Sequence, residues 1–347
     1  MEQMPNPPTQ ARHTPLAPSK WLIVAAFAAV YFIWGSSYIG IRFAIETIPP
    51  FLMAGVRFIL AGVILIAVSR TRLLGAPAPL PTRANWKAAF IAGALLFLGN
   101  NSMIVWSQKQ GLPSGITAVL LATLPLWMVL LQWLVMGGKR PNSRTVIGMI
   151  MGMGGILLLV RPESLQGDVN PIVGLVTIGA ALVWAMGSLY SRQAPLPQNP
   201  LLSTGMQLLA GGILLVMLSI ISGDAAQLDL ANIAPRSIAA MFYLMFFPSI
   251  TGFTAFVWLI RVVPPERVAT YGFVNPVIAL MLGVILAGET FSTQALVGAG
   301  VIVFGVFLIV TDKLITRRSD RHRTSDRAPD DIPALEHPNP QPIAIGK

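Results

Sequence analysis

The stretch FLMAGVRFILAGVILIAV, residues 51–68, carries a single charge, Arg57, and almost nothing else that is polar. At ~1.5 Å per residue such a helix covers most of a hydrocarbon layer about 30 Å thick, so the run reads as a membrane span. A guanidinium within it is costly and needs a reason. Three are open: an anchor at the membrane surface, a brace inside a bundle, or a place on a transport pathway.

The rest of the chain repeats the pattern. Its 347 residues are 54% hydrophobic and 11% charged, against about a quarter charged for a soluble domain, which makes it a polytopic membrane protein. The formal charge of +10 invites a nucleic-acid reading that its distribution does not support. With no cysteine there is no disulfide, thiolate nucleophile, iron–sulfur centre or cysteine-based zinc site. The three histidines, His13, His322 and His337, all lie in polar ends, which leaves no imidazole base or haem or zinc ligand between residues 14 and 321. No cofactor, metal or enzymatic chemistry is expected.

Residues 1–20 are Pro-rich and polar, and 313–347 are basic and Pro-rich; both read as disordered. Between them apolar runs alternate with short Pro-, Gly- and charge-bearing loops. They predict an all-α integral membrane protein of ten helices near 21–45, 51–69, 85–107, 113–136, 143–160, 171–191, 200–222, 236–260, 266–288 and 293–312. With the N-terminus placed in the cytoplasm, both tails and the loops after helices 2, 4, 6 and 8 hold 19 of the 24 Lys and Arg residues. The outer loops hold only Arg42, Lys109, Arg161 and Arg236, so the charge sets topology, with both termini cytoplasmic.

The chain also repeats itself. At an offset of 150, Trp34 meets Trp184, Pro50 meets Pro200, Gly55 meets Gly205 and Gly62 meets Gly212. At 151, Pro113 meets Pro264, Pro125 meets Pro276, Gly137 meets Gly288 and Gly154 meets Gly305. Two units, 21–160 and 171–312, hold five helices each. An odd count turns the second copy upside down, giving an inverted repeat with two similar arrangements, one open to each side.

Polar residues at membrane depth mark a pathway, since lipid-facing positions tolerate few of them. Helix 1 offers Ser36, Ser37 and Tyr38; helix 3 offers Asn100, Asn101, Ser102 and Trp106. Helix 8 carries Thr251, Thr254 and Trp258, and helix 9 carries Tyr271 and Asn275. Ser and Thr can instead bond their own helix's carbonyls, and Trp21, Trp86 and Trp133 suit the interfacial belt. Pro125 and Pro276, mid-span in helices 4 and 9, free the carbonyls of Leu121 and Gly272 or simply kink the helices for packing. The glycines of GMIMGMGG, 148–155, read as close helix packing. No acid lies near the centre of a span, which favours a zwitterionic or weakly polar substrate. Arg57, about 9 Å into helix 2, is expected to brace the outer ends of the bundle by pairing with Glu289.

The runs WGSSYIGIRFAIETIPPFLMAGVRFILAG, NNSMIVWSQKQGLPSGITAVLLATLPLWMVLL and YGFVNPVIALMLGVILAGETFSTQALVGAGVIVFG together resemble the EamA family of the drug/metabolite transporter superfamily, over roughly residues 20–312. The resemblance implies a bacterial inner-membrane carrier exporting amino acids or related metabolites by alternating access. It implies a central cavity lined by helices 1, 3, 4, 6, 8 and 9, and so points to Ser37, Tyr38, Asn100, Asn101, Trp106, Trp184, Trp258, Tyr271 and Asn275. The family-like Gly288-Glu289 ending helix 9 has no acidic counterpart at Gly137-Gly138-Lys139, so a mechanism needing both acids does not carry over. Efflux of lipophilic drugs, lipid flipping, a nontransporting scaffold and a lipid-modifying enzyme are the competing readings; the last lacks a visible His, carboxylate cluster or metal site. The partners expected are a small-molecule substrate and the bilayer, not nucleic acid, with a homodimer left open.

Overall fold

The computed structural model describes residues 19–72, 77–137, 140–159, 171–263 and 271–308, and there is no strand among them. Both tails, Pro264, Gly138, Lys139 and the start of the ninth expected helix lie outside the described residues. The rods are α1 Lys20–Ala44, α2 Pro50–Arg70, α3 Arg83–Lys109, α4 Ser114–Leu134 and α5 Ser143–Leu159. They continue as α6 Pro171–Gln193, α7 Pro200–Ile221, α8 over 235–262, α9 Tyr271–Ala287 and α10 Thr293–Leu308. Among the described residues seven, α1 to α4 and α6 to α8, are long and apolar enough to cross a membrane, and the described parts of α5, α9 and α10 are shorter. Their outward faces carry exposed Trp21, Phe32, Ile150, Ile220 and Ile285, an apolar surface that hydrocarbon covers and water would not.

Loop chemistry fixes where helices begin. Pro50 and Pro200 open α2 and α7 at the position where a missing N–H costs nothing. Asn199 caps α7 from its own chain neighbourhood, its Oδ1 accepting from Leu201 N and Leu202 N at 3.0 and 3.1 Å. α2 is capped from a distance: Asp224, just after α7, accepts from Phe51 N and Leu52 N at 3.1 Å each, and from Ser219 Oγ at 2.7 Å. A carboxylate at a helix N-terminus is also favoured by the helix dipole.

α2 and α7 meet backbone to backbone. A Cβ on Gly62 would lie 2.7 Å from the Leu209 nitrogen and 2.8 Å from the Gly205 carbonyl oxygen; one on Gly55 would lie 3.0 Å from the Gly212 oxygen. Residue numbers rise along one helix as they fall along the other, so the pair is antiparallel. α5 and α10 repeat the device, with Gly155 against Gly298 and Gly305 against Gly148, which is the close packing expected of the 148–155 glycines.

Three helices depart from uniform rods. α3 passes through a π-helical turn at Ala94–Gly99, and α8 through another at Met245–Gly252, at the same place in each half within two residues. The wider ladder is met by side chains reaching back five residues: Asn101 Nδ2 to Leu96 O at 3.4 Å, Ser249 Oγ to Leu244 O at 3.0 Å and Thr251 Oγ1 to Phe246 O at 2.9 Å. α4 is broken rather than kinked: it stops at Leu121, turns through Ala122 and Thr123, and restarts at Leu124. Pro125 therefore occupies the first turn of a new helix, where proline is tolerated, whereas Pro276 lies inside a continuous α9.

Candidate functional site

Where α3, α4 and α8 lose regularity, a cavity of about 150 Å³ opens. The first half of the chain contributes Trp34, Ser37, Tyr38 and Ile41 of α1, Phe97, Asn100, Asn101 and Ile104 of α3, and Leu121 and Leu124 on either side of the α4 break. The second half contributes Ala181 and Trp184 of α6, Pro248, Ser249 and Phe253 of α8, and Tyr271 and Asn275 of α9. Arg57 and Phe58 of α2 complete it.

One side of the cavity is an aromatic wall. Trp34 meets Phe253 and Tyr271 edge-on, with ring centroids 5.4 and 5.1 Å apart, and its Nε1 donates to Pro248 O at 3.4 Å. Phe97 ties Trp184, Phe253 and Phe58 into the same network at 6.3, 5.8 and 5.0 Å. The polar side is held by amides. Asn100 Nδ2 donates to Ala180 O at 2.9 Å, pinning α3 to α6, and Asn101 Oδ1 accepts from Arg57 Nη2 at 3.3 Å. Arg57 is only 3% exposed and its guanidinium lies 4.3 Å from the Phe58 ring centroid. Its Nε and the Oδ1 of Asn275 are buried without a hydrogen-bond partner.

Of the residues expected to form the site, Ser37, Tyr38, Asn100, Asn101, Trp184, Tyr271 and Asn275 are brought together around this cavity. Trp106 and Trp258 are not. Trp106 packs on an apolar cluster that includes Leu112, Val119 and Ile178, and Trp258 on one that includes Val30 and Leu259. The expected Arg57–Glu289 pair does not form. Glu289 instead meets Arg42, Nη1 to Oε1 at 2.5 Å, and caps α4: its carboxylate accepts from Ser114 N and Ser114 Oγ at 2.8 Å and from Gly115 N at 3.2 Å. The reason is local: Gly288, at φ 61°, turns the chain sharply after α9, and Glu289 N donates to Gly283 O at 3.0 Å, which aims the carboxylate at α4. Trp34, Phe58, Phe97, Pro248 and Phe253 line the cavity unforeseen. The offset that pairs Trp34 with Trp184 signals the first, and a mid-span proline signals Pro248; the phenylalanines sit among other apolar residues and carry no mark.

An apolar exterior, broken helices and a cavity of mixed polar and aromatic lining among them define a membrane protein with an internal candidate site. Residues 20–161 and again 172–311 match the EamA-like transporter family, so the chain belongs to that family. It is similar to the uncharacterized inner membrane transporter YedA of Escherichia coli K12, 36% identical over 84% of this chain and 92% of that one. It is also similar to a probable amino-acid metabolite efflux pump of Salmonella typhimurium, 24% identical over 81% and 92%. A solved crystal structure superposes with a TM-score of 0.56 at 19% identity, over 84% of this chain and 98% of that one, a likeness of fold alone. By family the chain is a transporter and not an enzyme.

Proposed function

We propose that the protein is a secondary carrier of the bacterial inner membrane that exports small metabolites, amino acids or related compounds, by alternating access. In this reading ten spans form two inverted five-helix repeats with both termini cytoplasmic. The observation that carries it is the cavity itself: its walls come from α1, α3 and α4 and from their counterparts α6, α8 and α9 one repeat later. A site shared between two halves is where rocking one half against the other changes access without dismantling the site. The antiparallel contact of α2 with α7 supports the inversion, because these two helices correspond at an offset of 150 and run opposite ways. The size of the cavity supports a small cargo. A void of this order accommodates a molecule about the size of benzene, which disfavours a lipid. The name of the Salmonella relative supports amino-acid metabolites.

Counterflow in proteoliposomes tests the proposal. Vesicles loaded with an unlabelled amino acid should accumulate the labelled one transiently, and empty-loaded or protein-free vesicles should not. Uptake of fluorescent lipid analogues with no counterflow of any small metabolite would overturn the reading in favour of lipid flipping.

A further inference from the structure

Arg57 holds a positive charge against the cavity with no carboxylate to match it among the described residues. Four acids fall among the described residues, and each is engaged elsewhere. Glu46 faces Arg236 at 3.8 Å, Asp224 caps α2, Asp229 bonds Asn232 at 2.6 Å, and Glu289 is shared between Arg42 and the start of α4. Arg57 makes one long hydrogen bond, to Asn101 Oδ1 at 3.3 Å, and stacks on Phe58. A buried guanidinium offers five N–H donors in a planar fork suited to a carboxylate, and here nearly all of that capacity is unspent. In the same cavity Asn275 Oδ1 is an acceptor with no donor. Native structures leave few such groups unpaired, and an isolated buried charge is retained only where something neutralises it. An orphaned donor and an orphaned acceptor beside an aromatic wall describe, by complement, a ligand with a carboxylate, an N–H or O–H donor and an apolar part.

We infer that Arg57 is the carboxylate-binding residue of the cavity, and that the carried compounds are small α-amino or α-hydroxy acids whose carboxylate supplies its missing counter-charge. Asn275 Oδ1 accepts from the α-ammonium or hydroxyl group, and the wall of Trp34, Phe253 and Tyr271 takes the side chain. The inference deepens the transport reading and rests on it for the word "carried", but the binding site stands or falls separately.

The purified full-length protein, with Trp34 and Trp184 among its intrinsic fluorophores and both in the cavity, is titrated with non-absorbing probes: leucine, threonine and lactate, each beside its own carboxamide. At least one acid should bind about tenfold or more tightly than its amide, because the amide leaves the guanidinium unpaired. Arg57→Gln should erase that preference and Arg57→Lys should keep part of it, with gel filtration verifying that each variant is folded. The wild-type acid–amide comparison decides the matter even if a variant does not fold. No acid binding, or amides binding as tightly as acids, overturns the inference. Acid-selective binding without counterflow sinks the transport reading and leaves the site; counterflow of acid and amide alike does the reverse.

Discussion

At the scale of single residues, the polar groups of this bundle separate by what each would leave behind. Glu289 is 5% exposed and accepts from three donors at the start of α4 as well as from Arg42, whose side chain is 39% exposed. Hydrogen bonds to a buried carboxylate contribute about 1.5–3 kcal/mol, while a half-exposed ion pair contributes about 1 kcal/mol or less. Glu289→Gln should therefore lower the melting temperature in detergent clearly more than Arg42→Gln does; the opposite order would make the ion pair, not the cap, the main tie. Asn275 makes the converse case. Its Oδ1 has no partner to lose, so Asn275→Leu should leave the melting temperature unchanged or higher while cutting counterflow tenfold or more. A drop in stability with transport intact would make Asn275 a packing residue. These contrasts explain what the sequence could disclose. An asparagine at membrane depth announces itself because hydrocarbon excludes it, and Asn100, Asn101 and Asn275 do line the cavity. Phe97 and Phe253 look like every other apolar residue on an apolar helix. The partner of Glu289 depends on a left-handed turn at Gly288 and a contact 175 residues away in the chain, which no periodicity encodes.

At the scale of elements, the glycines divide by what surrounds them, although in the sequence they look alike. Gly62 and Gly154 both belong to offset pairs, yet a Cβ on Gly62 would strike α7 backbone at 2.7 Å and one on Gly154 would meet nothing within 4 Å. Backbone cannot rotate away as a side chain can, so Gly62→Ala forces α2 from α7 at a cost of about 1–3 kcal/mol or more. Gly154→Ala should be neutral or raise stability by up to about 1 kcal/mol, the helix-propensity difference between the two residues. Thermal denaturation of the two variants checks this, and equal losses would mean that α2 and α7 do not touch as described. Helix existence was legible from apolar run length, and helix starts from Pro50 and Pro200. The internal breaks were only half legible. Pro125 marks the interruption of α4, but a proline predicts a kink as readily as a new start, and here Thr123 decides: its carbonyl accepts from Leu126 N at 2.9 Å and begins the second helix. Nothing within Ala94–Gly99 marks the π turn of α3, since it is as apolar as the helix before it. Its counterpart in α8 does contain Pro248, and comparing the two halves at their offset is the step that locates both.

At the scale of the whole molecule, two independent observations support the proposed arrangement. The first is charge: 19 of 24 basic residues fall on one side when ten spans are threaded from a cytoplasmic N-terminus. The second is packing: helices that correspond between the halves, α2 with α7 and α5 with α10, touch along antiparallel glycine faces. Charge alone cannot reveal inversion, and packing alone cannot say which side is the cytoplasm. In the proposed topology the close of α1 lies on the outer side, where several elements hold it at once. Gln108 donates to Tyr38 O at 3.2 Å, Lys109 to Ile45 O at 3.4 Å and Ser237 to Phe43 O at 2.8 Å, while Arg42 reaches Glu289. In the proposed alternating-access cycle these ties would part in the opposite state, which is possible only if they lie on one face of the membrane. Because the chain has no cysteine, single cysteines at Gln10, Gly167, Gln227 and Asp330 can be probed in intact cells with an impermeant thiol reagent. Labelling is expected at 167 and 227 only. Labelling at 330 but not at 10 would give an odd number of spans and break the inverted repeat. Labelling at 10 and 330 but not at 167 or 227 would keep the proposed repeat and reverse the molecule in the membrane, turning the ties around α1 into an inner latch.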